Sequence, residues 1–284
     1  MHYKEWREKM NTREITLASN CYEKNYKLIT SEEWSNRLFM KDCDLIDHRT
    51  LMISNVKDRT QVESYIHNLL SRGLVNDYYY SYDYIDCIEK KYMGCKRKSF
   101  YRRPTVREYV KGILHSKKMK FNYDGMLYSA SQIASIITCK TKWLLYLTED
   151  VYLDVADVDI WINKAINLME EDKRVIVANP LWNNDIEGAE RESCYSSDEF
   201  WFSYGFSDQC CLINAQWFQD NRDVFSEKNR TTEKVFPYYA GNHFERRISA
   251  YMRNHGLLRA TYKHGTYIHK DITEEQINSA SNLS

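Results

Sequence analysis

This sequence has little of several things that would point to other kinds of protein. Of its 284 residues only 3 are proline and 9 are glycine, and 40 basic side chains balance 40 acidic ones, so the formal net charge is zero. Proteins whose main task is to hold nucleic acid are usually basic overall, so no nucleic-acid partner is expected. No run of about 18 apolar residues occurs, so no membrane-spanning helix is expected either.

Two further absences concern location and redox state. The first fifteen residues lack the apolar centre of a signal peptide, so we expect a cytoplasmic location. The eight cysteines form no CxxC pair and show no zinc-like spacing. We therefore expect reduced thiols that pack as small apolar residues.

What the sequence does contain is an alternation of strand and helix patterns. Residues 14–20, 50–56 and 77–84 read as strands, the third rich in tyrosine. Residues 58–73 carry apolar side chains at helical spacing and end in a glycine. This spacing predicts an α/β fold, Rossmann-like, in which helices flank a mostly parallel central sheet.

A basic segment interrupts the α/β pattern. Residues 89–120, a stretch that includes Lys90–Lys120, contain eight lysines and four arginines but only two glutamates. The net charge of this stretch is therefore +10. Such a block is commonly a solvated surface, but it could equally face phosphates or an anionic membrane. A peripheral contact at the inner membrane face is the functional alternative for this segment.

Two adjacent acids follow a buried strand. The apolar run Trp143–Leu147 stops at Thr148, Glu149 and Asp150. Ligands in open α/β sheets bind beyond the carboxyl ends of the strands, where these acids would lie. Burying a bare carboxylate is costly unless a cation or donors meet it, so the pair either sits at a solvated strand end or holds something positive.

The second half of the chain changes character. Residues 181–206 are polar and aromatic with little periodicity, which predicts a long functional loop. A strand and helical turn near residue 210, a helix over 241–256 and a strand with a turn over 257–270 complete the pattern. Residues 271–284 read as a polar tail.

Four motifs in this order resemble the GT-A class of nucleotide-sugar glycosyltransferases, most closely the inverting, family-two-like members. They are "EITLASNCYEKN" as the opening nucleotide strand, "YLTEDVYL" as the acidic metal motif, "HFERRISAYMRNHG" as the acidic helix and "YKHGTYIHK" as the C-terminal histidine segment. The resemblance covers residues 14–270. It implies a nucleotide-sugar-binding half over 1–180 and an acceptor-binding, catalytic half over 181–270 of one GT-A domain.

The activity implied by the resemblance is transfer of a sugar from a nucleotide-diphosphate sugar, with UDP favoured, to a glycan or a lipid-linked saccharide, with inversion. A divalent cation, Mn²⁺ or Mg²⁺, would be held by Asp150 and His269. His264 competes with His269 for that role. One departure bears on the metal, because Thr148 stands where the family's Asp-x-Asp motif has its first aspartate.

The resemblance also assigns the nucleotide-sugar contacts and the catalytic base. The contacts fall on residues at strand ends and loops: Ser19, Asn20, Asn55, Asp83, Gly125 and Glu149. Strand ends and caps also favour such residue types without any ligand. Glu245 matches the base that takes a proton from the acceptor hydroxyl, although Phe244 replaces the acid before it. A simple surface charge at Glu245 stays open.

Aromatic side chains are the expected acceptor contacts. Trp182, Tyr195, Trp201 and Tyr204 would stack on sugar faces.

Two other functions compete with transfer. A nucleotidyltransferase is disfavoured because no glycine-rich signature follows the first strand. A catalytically silent binding module of the same fold is supported by Thr148 and Phe244, which occupy positions where acids are expected.

Overall fold

The computed structural model of this chain describes residues 14–54, 56, 58–88, 125–227, 244–273 and 275–276, with the backbone alone described for 125–129. The strands are β1 Ile15–Tyr22, β2 His48–Ser54, β3 Asp77–Tyr80, β4 Trp143–Leu147, β5 Val151–Asp154, β6 Val175–Trp182, β7 Tyr195–Ser196, β8 Phe200–Ser203, β9 Cys210–Asn214 and β10 Leu258–His269. The α-helices are α1 Tyr26–Ile29, α2 Glu32–Leu38, α3 Arg59–Ser71, α4 Ile85–Cys87, α5 Gly125–Thr138, α6 Val158–Glu171, α7 Ile186–Glu192, α8 Ala215–Asp220 and α9 Phe244–His255. Short 3₁₀ helices cover Ser81–Tyr84 and Arg222–Phe225.

All of these strands belong to one 10-stranded sheet. Its order is β3-β2-β1-β4-β9-β6-β10-β8-β7, and β5 pairs with β10 off this path. The pairings set β1, β2, β3, β4, β6, β7 and β10 in one direction and β5, β8 and β9 in the other. The predicted α/β fold with a mostly parallel central sheet is therefore confirmed.

The sheet is buried on both faces because its central strands are apolar at successive positions. In β4 all five residues are buried, and side chains alternate between the two faces. Leu145 packs in a cluster with residues of α3 and α6, while Leu144 and Tyr146 pack with α5, α8 and α9. Helices on both faces leave the strand ends as the place where a ligand can reach the sheet.

Local sequence signals fix the ends of several helices. Asp58 begins α3 by accepting a hydrogen bond from the backbone N–H of Gln61, and Asp157 begins α6 in the same way with Ile160. Gly73 and Gly256 follow α3 and α9 with φ of 66°, a left-handed conformation that suits glycine. The helix α9 thus ends at a defined point directly before β10.

Replacing Gly256 with alanine should lower the free energy of unfolding by about 1–2 kcal/mol, because an L-residue is strained in the left-handed region. No atom of the described residues lies within 4 Å of the added Cβ, so backbone strain is the only local cause. Gly256→Asn is the matched control and should lose less, since asparagine tolerates this conformation. Urea unfolding measures both changes, and an equal loss in the two variants would contradict this explanation.

The structure corrects the prediction for residues 181–206. This segment is not a long loop: it contains the end of β6, the helix α7 and the strands β7 and β8. All four residues of β8 are buried, so a pattern of alternating polar and apolar residues never arises. Two very short strands and a two-turn helix are too brief to show periodicity in the sequence.

The predicted third strand also ends earlier than expected. The strand β3 covers only Asp77–Tyr80, and Ser81–Tyr84 forms a 3₁₀ helix. Ser81 is buried at this point, and its hydroxyl contacts that of Ser54 at 2.6 Å. Asp83 therefore lies in the 3₁₀ helix and not in a strand, contrary to the prediction.

Several predictions fall outside the described residues or stay open. Asn55 and the basic segment Lys90–Lys120 lie outside them. The proposed boundary at residue 180 falls within β6, and strands from both halves alternate in the sheet.

The seven cysteines in the described ranges are free thiols. Over the same ranges, no helix has the length and apolar character needed to cross a membrane.

Candidate functional site

The acidic turn follows β4 directly and is held in place by its backbone. The N–H of Val151 donates to the carbonyl of Thr148 at 3.1 Å, which closes the turn over Glu149 and Asp150. The N–H of Thr148 donates to the carbonyl of Gln209 at 2.8 Å. Since β9 runs antiparallel to β4, the start of β9 meets the end of β4 and adds residues 208 and 209 to this turn.

Asp150 and His269 face each other across this turn. The His269 Nε2 atom lies 3.0 Å from Asp150 Oδ2, and the other carboxylate oxygen accepts a hydrogen bond of 2.7 Å from the hydroxyl of Thr148. His269 is the last residue of β10, and β10 pairs with β5, which begins directly after Asp150. The pairing of these two strands therefore sets the distance between the carboxylate and the imidazole.

This pair of side chains fits a divalent cation. The two side chains are within hydrogen-bonding distance of each other at 3.0 Å, and a carboxylate oxygen and an imidazole nitrogen are both ligand types for a divalent cation. Among the described residues no group of three or more His, Cys, Asp or Glu side chains could hold a metal. Mg²⁺ commonly uses one or two protein carboxylates and takes its other ligands from phosphates and water.

Glu149 points away from that pair, into a network of buried amides. Its carboxylate oxygens accept hydrogen bonds from the side-chain amides of Asn20 and Asn25. The Asn20 carbonyl oxygen accepts from the hydroxyl of Tyr146 at 2.8 Å, and that of Asn25 accepts from the backbone N–H of Tyr22. These bonds orient both amide groups toward Glu149 and connect β1 to the end of β4.

Burial changes the protonation of Glu149. Only 6% of Glu149 is exposed. Burial, and secondly the nearby charge of Asp150, raise the pKa of Glu149 to about 8, while the hydrogen bonds from the two asparagines oppose the rise. The predicted contact of Glu149 with a donor sugar stays a prediction; the structure shows a side chain that joins β1 to the acidic turn.

Two cavities adjoin at this edge of the sheet. The first, the Asp150 cavity, has a volume of about 170 Å³ and is lined by Asn20, Gln132, Tyr146, Thr148, Glu149, Asp150, Asp208, Gln209 and His269. The second, the Glu245 cleft, has about 260 Å³ and is lined by Asn179, Trp182, Asp185, Gly188, Ala189, Glu192, Phe206, Ser207, Asp208, Gln209, Glu245, Arg259, Thr261 and Tyr267. Asp208 and Gln209 line both, so the two cavities share a wall.

The helix α9 presents Glu245 to the second cavity. Phe244 anchors the start of this helix, with its ring 5.4 Å from that of Phe206 and stacked on that of Phe225. The hydroxyl of Ser249 accepts a hydrogen bond from the N–H of Phe206 at 2.9 Å, which ties the helix to the segment before Asp208. The aromatic ring of Phe244, at a position where the GT-A resemblance predicts an acid, thus has a packing role.

Glu245 is partly buried among charges. Burial, and then the negative charge of Asp208, raise the pKa of Glu245 to about 7, and Arg246 and Arg259 oppose the rise. The pKa of Asp208 is raised as well, first by burial and then by Asp150, while His269 acts in the other direction. Charges in the two cavities are therefore linked through Asp208.

The residues predicted to contact the nucleotide sugar fall in different places. Asn20 lines the Asp150 cavity. Ser19 lies inside β1 and is fully buried, and its hydroxyl has no hydrogen-bond partner among the described residues. Asp83 is exposed and pairs with Arg59 at 2.7 Å, away from both cavities as the described residues form them. Gly125 is the first residue of α5.

The four aromatic residues predicted to contact an acceptor also separate. Trp182 lines the Glu245 cleft and is 48% exposed. Trp201 is only 8% exposed, in the interior of β8. Tyr195 and Tyr204 are exposed, and the Tyr195 ring stacks on Phe202 at 4.5 Å. Within the described part of the chain, only Trp182 of the four lines either cavity.

Sequence reasoning missed several residues of this site, among them Asp208, Gln209, Gln132 and Asn179. Gln132 and Asn179 sit inside a helix and a strand that read as purely structural. Asp208 and Gln209 had a usable signal, since "SDQ" stands directly before the buried strand β9, as the acidic turn follows β4. An antiparallel neighbour brings such a segment to the same edge of the sheet.

His264, the alternative to His269, lies elsewhere. Its Nε2 atom is 3.7 Å from Glu199 Oε2 on an exposed surface, and it lines neither cavity as the described residues form them.

No protein-family model and no curated protein matches this sequence. Solved structures do match. One is GalNAc-T7 with UDP, GalNAc and Mn²⁺, at 10% identity and a TM-score of 0.47, over 93% of this chain. Another is glucosyl-3-phosphoglycerate synthase from Mycobacterium tuberculosis with Mn²⁺, UDP and glucosyl-3-phosphoglycerate, at 10% identity and a TM-score of 0.43, over 99% of this chain.

A third match is the galactosyltransferase LgtC with donor and acceptor sugar analogues, at 13% identity and a TM-score of 0.40, over 87% of this chain. The chain spans 44% of the GalNAc-T7 chain, 81% of the synthase and 72% of LgtC. The three matches have identities of 10–13% and TM-scores below 0.5, so they establish neither a family nor an activity for this chain.

Proposed function

We propose that this protein transfers a sugar from a nucleotide-diphosphate sugar, UDP favoured, to a hydroxyl of a carbohydrate acceptor, with inversion at the anomeric carbon. The observation that carries the proposal is the pair of adjoining cavities with Asp208 and Gln209 as their common wall. One cavity offers a carboxylate and an imidazole suited to a metal–diphosphate, and the other offers a carboxylate suited to an acceptor hydroxyl.

The Asp150 cavity is the donor site in this proposal. Asp150 and His269 would hold a divalent cation, Mn²⁺ or Mg²⁺, at their 3.0 Å separation. When bound, the cation offsets the negative charge that builds on the diphosphate as it leaves. Thr148 is a positioning residue: its hydroxyl bond of 2.7 Å holds one oxygen of Asp150, which leaves the other to the metal. It thus compensates for the missing first aspartate.

Glu149 and its two asparagines keep the turn rigid. The hydrogen bonds from Asn20 and Asn25 hold the carboxyl group inside the protein, so the adjacent Asp150 is directed outward to the cavity. The indole N–H of Trp34 also donates to the carbonyl of Glu149 at 3.0 Å. Fixed geometry matters because a group that is preorganised for the transition state loses little entropy when the reaction occurs.

The Glu245 cleft is the acceptor site, and Glu245 is the general base. The acceptor oxygen forms a bond to the anomeric carbon while the bond from that carbon to the diphosphate oxygen breaks. The hydroxyl proton passes to Glu245, and the nucleoside diphosphate departs with the bonding electrons. A base with a pKa near 7 suits this step, since proton transfer is most effective when the pKa lies near the working pH.

The pH dependence of the reaction should report Glu245. Its pKa is raised to about 7, so it is protonated and inactive as a base below pH 7 and ionised above it. We expect kcat/KM for the acceptor to rise with pH through a midpoint near 7 and then level off. In Glu245→Asp the midpoint should move while the rising shape persists. A profile that is flat between pH 5.5 and 8.5 would contradict the assignment of the base.

The function itself is tested with a panel of UDP-, GDP- and ADP-sugars, with and without Mn²⁺. Release of nucleoside diphosphate is measured alone and with an oligosaccharide mixture as acceptor. Release that requires Mn²⁺ and one particular sugar nucleotide supports the proposal. Binding of a sugar nucleotide with no turnover under any condition would favour the silent binding module instead.

A further inference from the structure

The chemistry of the Glu245 cleft restricts what kind of acceptor can enter it. Among the described residues that line it, four carry carboxyl groups, Asp185, Glu192, Asp208 and Glu245, and only Arg259 carries a positive charge. Arg259 already pairs with Glu192 at 2.9 Å, and its side chain is 13% exposed. As the described residues form it, the cleft therefore offers an incoming anion one guanidinium, which pairs with a carboxylate through one terminal nitrogen and whose buried Nε–H has no partner among those residues.

A second observation in the same cleft points to a ligand that donates hydrogen bonds. Asn179 is 3% exposed and lies in β6 opposite Thr261 of β10. Its amide nitrogen donates to the carbonyl of Pro180 at 2.6 Å, a bond that only the NH₂ group can make. The amide oxygen is thereby fixed, and no described residue donates to it. A buried acceptor that receives no hydrogen bond is costly, and the hydrogen bond could be donated by a bound hydroxyl or ammonium group.

Trp182 supplies an apolar surface beside these polar groups. Its ring is 48% exposed where β6 ends, three residues after Asn179. The carbon-bound hydrogens on one face of an uncharged sugar ring can pack on such an aromatic face. The cleft thus combines hydrogen-bond acceptors with one exposed indole. This combination suits a ring that carries many hydroxyl groups.

We propose that the Glu245 cleft selects an acceptor sugar without an anionic group, one that carries hydroxyl or amino groups and donates a hydrogen bond to Asn179 Oδ1. Phosphate and carboxylate groups are excluded by the four carboxyl groups of the cleft. This inference rests on the proposed function, because it names the acceptor class of the same site. An acceptor that is anionic at another position, outside the cleft, is compatible with it.

Four sugars with the same ring test this selection: glucose, glucosamine, glucuronic acid and glucose 6-phosphate. Binding to the full chain, loaded with UDP and Mn²⁺, is measured by saturation-transfer NMR at pH 8. Glucose and glucosamine should bind at least about tenfold more tightly than the two anions, which corresponds to about 1.4 kcal/mol. Equal or tighter binding of either anion would overturn the proposal, as would binding of none of the four.

Two variants connect the selection to named residues. Asn179→Leu, similar in shape with the same number of heavy atoms, should weaken glucose binding about tenfold, while Asn163→Leu on α6, also a buried asparagine, should not. Glu192→Gln removes the partner of Arg259 and should tighten glucuronic acid binding relative to glucose by about tenfold. Glu192 is 61% exposed, so this variant should fold even if Asn179→Leu does not. An unchanged ratio in Glu192→Gln would overturn the charge argument.

The outcomes separate this inference from the proposed function. Release of UDP from the sugar nucleotide without an acceptor depends on the Asp150 cavity alone. If that release occurs and the anionic sugars bind best, the acceptor class is wrong and the transferase function stands. If no sugar nucleotide is bound or cleaved, the proposed function fails first.

Discussion

Replacing Glu245 with glutamine is expected to lower kcat for transfer by about 10²- to 10⁴-fold, the usual contribution of a general base. Glutamine keeps the shape of the side chain but cannot accept the hydroxyl proton. Since the change removes an interaction made only in the transition state, kcat should fall while KM for both substrates stays within about threefold. Initial rates at pH 8, where Glu245 is largely ionised, measure the effect.

Glu187→Gln is the matched control for this substitution. Glu187 is an exposed glutamate on α7, and it lines neither cavity as the described residues form them. Its replacement should leave kcat unchanged. A Glu245→Gln enzyme that retains more than about a tenth of the wild-type kcat would remove Glu245 from the role of base. The carboxylate of Asp208, which also lines the cleft, would then be the next candidate for the base.

Replacing Asp150 with asparagine is expected to abolish the Mn²⁺ dependence of UDP binding and to lower kcat/KM by about 10²-fold or more. The reason is that a cation at this site supplies several kcal/mol of charge stabilisation, and each 1.36 kcal/mol is tenfold in rate. In the wild-type protein Mn²⁺ should tighten UDP binding. Calorimetric titration of UDP with Mn²⁺ and with EDTA measures this difference directly.

The control for Asp150 lies four residues further along the chain. Asp154 is exposed at the end of β5, and Asp154→Asn should keep the full effect of Mn²⁺ on UDP binding. His269→Ala should weaken the metal effect as Asp150→Asn does, and the double variant should lose less than the sum, since the two side chains act on one ion. Identical UDP affinity with and without Mn²⁺ in the wild-type protein would rule out the cation site.

Residues of this site that belong to one contiguous sequence motif could be predicted from the sequence. Trp143–Leu147 is an unbroken apolar run, and its structure is the expected buried strand with acids at its carboxyl end. A strand that is covered on both faces consists of apolar residues, so the polar residues lie after its end. His269 and Glu245 were found through motif order, which gave their positions in the chain but not their distances to the acids.

The remaining residues of the site depend on tertiary structure. Asp208 enters it because β9 inserts antiparallel between β4 and β6, and no local pattern announces that pairing. Asn179 lies in the middle of an eight-residue buried strand, where an asparagine has no signature of its own. Whether such an amide has a partner depends on residues that come together only in the folded chain, here Thr261 of β10.

The strand β10 runs past both cavities, and its pairing with β6 has an irregularity between them. Thr261 lines the Glu245 cleft and His269 the Asp150 cavity, and between them the pairing with β6 jumps from Tyr262 opposite Pro180 to Thr266 opposite Leu181. Residues 263–265 of β10 lie within this jump, and at Gly265 the backbone approaches so closely that a Cβ would lie 2.8 Å from both methyl groups of Val155. Under the proposed function, the length of this segment would set how far the imidazole of His269 lies from the Glu245 cleft, although residues 263–265 line neither cavity as the described residues form them.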